Sequence, residues 1–141
     1  MLAAAAAAAA AALAGGACAA GAAAVAHHTF FESPSRNIGC VILQGTARCD
    51  IIKRTWSPPA RPARCPNEVD FGQGLTVSGT GAARFVCAGD TALDPSAPLL
   101  AYGAVDAVGV MRCSSARAGM TCRSLRTGHG FFISRQSYRL F

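Results

Sequence analysis

The chain has 141 residues, enough for a single domain, with 52% hydrophobic residues and a formal net charge of +6. Its seven cysteines include no C-x2-C pair, which excludes the close ligand spacing of a structural zinc site. The charge is lopsided: from His27 to Asp106 seven Lys/Arg cancel seven Asp/Glu, and six arginines with no acid follow.

Residues 1–26 are almost all Ala and Gly, and no formal charge other than the terminal amine precedes Glu32. Ala24-Val25-Ala26 fits the small-residue rule for signal cleavage, so 1–26 reads as a leader and 27–141 as one disulfide-rich β domain. A basic n-region is missing. Retention as a membrane anchor is the alternative, but alanine contributes little in hydrocarbon, and no stable span is expected in the mature chain. A lipoprotein built on Cys18 is a second alternative, although Leu13 stands five residues before the cysteine instead of three. The expected location is secreted or cell envelope.

Removing the leader leaves six cysteines, at 40, 49, 65, 87, 113 and 122. An even count in a short exported chain reads as a disulfide framework. Fifteen connectivities exist for six cysteines. Side chains alternate faces along a strand, so Ile38, Cys40 and Ile42 would share a face opposite Ala47, Cys49 and Ile51. Met111 and Cys113 would likewise face Met120 and Cys122, with Arg112 and Arg123 turned away. That geometry favours Cys40–Cys49 and Cys113–Cys122 and leaves Cys65 to Cys87. Loop-closure entropy assigns roughly 2.7 kcal/mol to each short ring and about 3.4 to the longer one.

Short apolar runs bounded by turn residues predict an all-β domain of about eight short antiparallel strands, a small sandwich or a partly open barrel. The runs are Phe30-Phe31, Asn37–Leu43, Thr46–Ile52, Leu75–Val77, Ala83–Cys87, Leu99–Tyr102, Val108–Cys113, Met120–Arg123, Phe131–Ser134 and Tyr138–Phe141. A proline-rich loop, Ser57–Pro66, separates the second hairpin from the first. Beyond the leader, no twelve-residue window keeps a helical apolar period free of Gly or Pro.

Candidate chemistry is sparse. His129, between Gly128 and Gly130, could act as a base with Asp90 as its orienting acid, the arrangement of a hydrolase. A hydrogen-bonded turn histidine and an Asx-turn aspartate are the plainer readings. Ser35 and Ser134 lack the G-x-S-x-G elbow of a nucleophile. His27-His28 could hold Cu(II) or Ni(II), but frayed termini usually do nothing; neither metal nor cofactor is expected. Trp56, Arg61 and Arg64 in the stiff proline loop form the best binding candidate, including as an inhibitor loop offered to an enzyme; the plainer reading is that Trp56 packs over the core while the prolines shape the loop. The C-terminal arginines suggest an anionic envelope polymer or an acidic protein as partner. Nucleic acid is disfavoured by export and by the lack of interleaved aromatics.

The order of Phe31-Glu-Ser33-Pro34-Ser35-Arg-Asn37-Ile38-Gly39-Cys40, Phe85-Val86-Cys87-Ala88-Gly89-Asp90-Thr91 and Thr127-Gly128-His129-Gly130-Phe131-Phe132 resembles a family of small exported actinobacterial proteins, a domain of unknown function. The resemblance covers about residues 30–141 and implies export and a cysteine framework; it carries no activity or substrate. Arg36 departs from the Gly that the family often has in this turn, where a positive φ would suit glycine. The expectation is a non-enzymatic extracellular module for an anionic or protein partner.

Overall fold

The computed structural model describes Gly15, Gly16, Val25–His27 and residues 29–141. Most of the expected leader, Cys18 and His28 lie outside the described residues.

Among the described residues the chain is all strand and turn, with eleven strands in two sheets forming a sandwich and no closed barrel. One sheet runs β2 (Phe30–Glu32), β3 (Ile38–Leu43), β4 (Thr46–Ile51), β5 (Asp70–Ser78) and β6 (Arg84–Ala88), each antiparallel to the next. The other orders β1 (Val25–Ala26), β7 (Val105–Val108), β8 (Met111–Ala116), β9 (Gly119–Ser124), β10 (Gly130–Ile133) and β11 (Tyr138–Leu140). Only the β1–β7 pair there is parallel. Val25 and Ala26, the last two residues of the expected leader, therefore pair with Val105 and Asp106.

Period-two alternation sets the faces. Ile38, Cys40 and Ile42 stand against Ile51, Cys49 and Ala47 in register, and all six are buried. Met111, Cys113, Met120 and Cys122 fill the facing sheet's inner side together with Phe131 and Ile133. All three disulfides join nearest neighbours: Cys40–Cys49, Cys65–Cys87 and Cys113–Cys122. The first and third face each other between the sheets; the second ties the proline-rich loop to β6.

Two predicted strands come out differently. Leu99–Tyr102 makes only an isolated bridge, Glu32 to Leu99, flanked by Glu32 N–H to Pro98 O at 2.9 Å and Leu100 N–H to Glu32 O at 2.8 Å. Pro98 has no N–H to extend that ladder, and Gly103 turns the chain at φ 87°. Val108–Cys113 is not continuous: Gly109, at φ 59°, reverses the chain between β7 and β8.

The side of the sandwich between edge strands β6 and β11 is closed by aromatics. Trp56 lies edge-on to Phe85 at 6.3 Å and tilted against Tyr138 at 4.8 Å, and Phe85 meets Tyr138 at 5.0 Å.

Candidate functional site

The residues that sequence singled out are dispersed. His129 is exposed in the β9–β10 turn, its backbone N–H donating to Thr127 Oγ1 at 3.2 Å and its carbonyl accepting from Ser124 N–H at 2.9 Å. That turn belongs to the end of the sandwich where Ser124 Oγ donates to Gly79 O and Gly79 N–H to Gly45 O. Asp90 follows β6, which runs back toward the other end. Its carboxylate accepts from Arg48 Nη1 at 2.6 Å. His129 and Asp90 are not brought together. Ser134 is buried, and its hydroxyl is spent within its own turn, donating to Ser137 O and accepting from the N–H groups of Gln136 and Ser137.

Trp56 is committed inward. Its indole N–H donates to Ser134 O at 2.8 Å, and the Arg54 guanidinium covers the ring at 4.5 Å. Arg61 staples the proline loop, donating to Pro66 O at 2.7 Å and Val69 O at 2.8 Å. Arg64 remains exposed, with no ion pair or hydrogen bond among the described residues. His27 Nδ1–H donates to Ala107 O at 2.7 Å, so the predicted terminal histidine docks on β7. The single grouping of three potential metal ligands among the described residues, Cys40, Cys49 and Cys122, consists of sulfurs already in disulfides.

Sequence reasoning missed a buried ion pair. Asp50 is 1% exposed and accepts from Arg48 Nε at 2.9 Å, Arg48 Nη2 at 2.7 Å and Ala92 N–H at 2.9 Å. Arg48 also donates through Nη2 to Asp90 O at 2.8 Å. This network pins the loop after β6 onto β4. Burial opposes the Arg48 charge, but its hydrogen bonds to the Asp50 and Asp90 carboxylates, with their negative charge, outweigh it and raise its pKa above the usual value. The hydrogen bond from Arg48, reinforced by its charge, holds Asp90 below the ordinary carboxylate range.

What the fold does assemble is a cationic cleft of about 490 Å³ at one end of the sandwich. Four cations line it, each from a different part of the chain: Arg36 in the β2–β3 turn, Lys53 after β4, Arg117 in the β8–β9 turn and Arg135 in the β10–β11 turn. Antiparallel connectivity returns these segments to the same end, although up to 99 positions separate them in sequence. Ser35, Asn37 and Gln136 add uncharged hydrogen-bonding groups, and no Asp or Glu lines the cleft. Arg117 stacks over Tyr102 at 5.1 Å.

Arg36 holds φ 55°, the conformation for which glycine was expected. The left-handed region costs a residue with a side chain about 1–2 kcal/mol. Its guanidinium offsets that by donating to Glu32 Oε2 at 3.1 Å and Pro95 O at 2.9 Å, which gives the buried Glu32 its counter-charge.

A second cationic surface covers the outer face of the six-stranded sheet. Arg112 stands directly opposite Arg123, and Arg139, opposite Phe132, lies over the rings of Phe132 and Phe141 at 5.8 and 5.6 Å. The one acid on that sheet, Asp106, is buried on the inner side. The six C-terminal arginines thus divide: three on this face, two in the end cleft, and Arg126 in the β9–β10 turn.

No helix of the described residues is long and apolar enough to cross a membrane. A family described as of unknown function (DUF6636) matches residues 2–141. No curated protein and no solved structure matches the chain.

Proposed function

The chain belongs to the family of unknown function DUF6636, and since that membership brings no activity, we propose from the surface itself that it is a non-enzymatic extracellular module for an anionic polymer. The observation that carries this reading is the end cleft, where Lys53, Arg117 and Arg135 converge beside the Glu32-paired Arg36 and no Asp or Glu among the described residues lines the wall. Holding like charges together is unfavourable in the free protein, and a polyanion relieves the repulsion while releasing its own counterions. The Arg112–Arg123 pair extends the positive field along the adjoining sheet. Three disulfides suit an oxidising environment, which favours the cell envelope as the place of work.

A catalytic reading has less support, because no base, acid and nucleophile share a cleft among the described residues. An inhibitor loop centred on Trp56 is weakened by the indole's internal hydrogen bond. The test is retention on immobilised poly(glycerol phosphate). The protein is expected to elute at a salt concentration well above that of the Lys53→Gln/Arg117→Gln/Arg135→Gln variant. Equal elution of the two, with folding intact, would overturn the assignment of the cleft.

A further inference from the structure

A different chemistry lies on the side of the molecule between edge strands β6 and β11. There the proline-rich loop walls a cleft of about 510 Å³, a volume in the ordinary range for small-molecule sites. Phe71, Phe85 and Leu140 supply an apolar lining, whereas Arg64 and Arg84 line it as exposed cations. Neither arginine has an ion pair or side-chain hydrogen bond among the described residues, and no Asp or Glu lines the cleft.

The wall is held in place from several directions. Gly72 sits at φ 80°, and a Cβ there would meet Pro58 Cβ at 2.5 Å, so the loop seats directly on β5 through a position that only glycine can fill. Arg61 ties the loop to the Pro66 and Val69 carbonyls and lies over Phe71 at 5.8 Å. The Cys65–Cys87 disulfide fixes its far end to β6. A cleft fixed in this way loses little conformational entropy when occupied.

We infer that this cleft binds a small amphipathic anion, an alkyl or aryl carboxylate whose apolar body lies on Phe71, Phe85 and Leu140 and whose head pairs with Arg64 and Arg84. A phosphate polymer would leave the aromatic lining wet; a neutral hydrocarbon would leave both arginines unused. An organic acid of modest size satisfies both halves, and we take it to be a free acid, because the apolar lining and the two arginines lie together in one cleft of small-molecule size. This site is independent of the cationic end cleft.

Sodium decanoate, kept below its micelle concentration, is the probe. The single tryptophan, Trp56, contacts Phe85, so its emission reports occupancy, and amide shifts at Phe71, Ala83 and Phe85 locate it. Decanoate should bind saturably, at least tenfold more tightly than decylammonium. The Arg64→Gln/Arg84→Gln variant, with an unchanged melting temperature, should bind it at least tenfold more weakly. The Lys53→Gln/Arg117→Gln/Arg135→Gln variant should bind it as the parent does. Equal binding of decanoate and decylammonium, no loss in the Arg64/Arg84 variant, or capture of phosphatidylglycerol vesicles without binding of free decanoate would overturn the inference.

Discussion

Cys49 Sγ lies 3.5 Å from Cys122 Sγ, so the two cross-strand disulfides meet sulfur to sulfur in the middle of the sandwich. All four of their cysteines have zero exposure, whereas Cys87 of the third disulfide is exposed and its partner Cys65 is buried. An attacking thiolate needs access to sulfur. Mild reductant should therefore open Cys65–Cys87 first, with the core pair opening only as the domain unfolds. Timed alkylation and peptide mass mapping will show the order. Losing the 65–87 ring should cost about 3 kcal/mol, and losing all three should leave the chain unfolded or nearly so. Early labelling of Cys49 or Cys122 would contradict this.

Removing Arg48 strands the Asp50 carboxylate in the interior. Arg48→Met should destabilise the domain by about 3 kcal/mol, measured by urea unfolding, because an uncompensated buried charge is left behind. Asp90→Asn should cost under about 0.5 kcal/mol, since Asp90's side chain is 80% exposed and solvent screens the pair.

Asp90 also fixes a pH signature. Its folded pKa is depressed below the ordinary aspartate value of 3.8, so the stability it contributes is present above that value. It is lost as pH falls below 3.8 through the lower folded value. Comparing parent and Asp90→Asn melting temperatures between pH 6 and pH 2.5 should show a small gap that closes on acidification. A gap that widens toward low pH would reverse the sign.

Arg112 opposite Arg123 is a cost within the sheet. Like charges in register destabilise by a few tenths of a kcal/mol, so Arg112→Gln should raise stability by about 0.5 kcal/mol at low ionic strength. The gain should shrink at 0.5 M salt, where screening removes the repulsion. Thermal melts at two salt concentrations decide it. The same variant should elute earlier from a polyanion matrix, which separates stability from binding.

Gly72→Ala tests the seat of the proline loop. The added Cβ would collide with Pro58 and occupy a φ that alanine rarely adopts. A loss of about 1–3 kcal/mol is expected, together with altered Trp56 emission as the loop lifts. Gly103→Ala, also at positive φ but with nothing within 4 Å, should cost only the backbone strain.

Strand faces and disulfide partners were legible because both follow from a period of two and from local spacing. Cys40 and Cys49 needed only a hairpin to meet, and so did Cys113 and Cys122. The strand drawn at Val108–Cys113 failed for a local reason too: Gly109 is as compatible with a strand interior as with the turn it makes. The end cleft was illegible because its cations share no window. Arg36, Lys53, Arg117 and Arg135 meet only through the return of strands to one end, and a cation placed in a turn reads as ordinary solvent-facing charge. Arg48 and Asp50 did leave a signal. Two opposite charges two residues apart on a strand project to one face, and on a face that is otherwise covered they must pair. For Trp56 residue type offered two readings, a binding anchor or a ring packed over the core, and the sequence could not show its hydrogen bond to Ser134 because 78 positions separate the two residues.

The rings also decide what happens to a nicked molecule. Arg117, an exposed target for a trypsin-like protease, lies inside the span closed by Cys113 and Cys122; Arg84 lies inside that closed by Cys65 and Cys87. A cut at either arginine would release no fragment, because both new ends stay covalently tethered to the same scaffold. Among hostile proteases, damage at these two positions would be local and survivable, visible on a gel only after the disulfides are reduced.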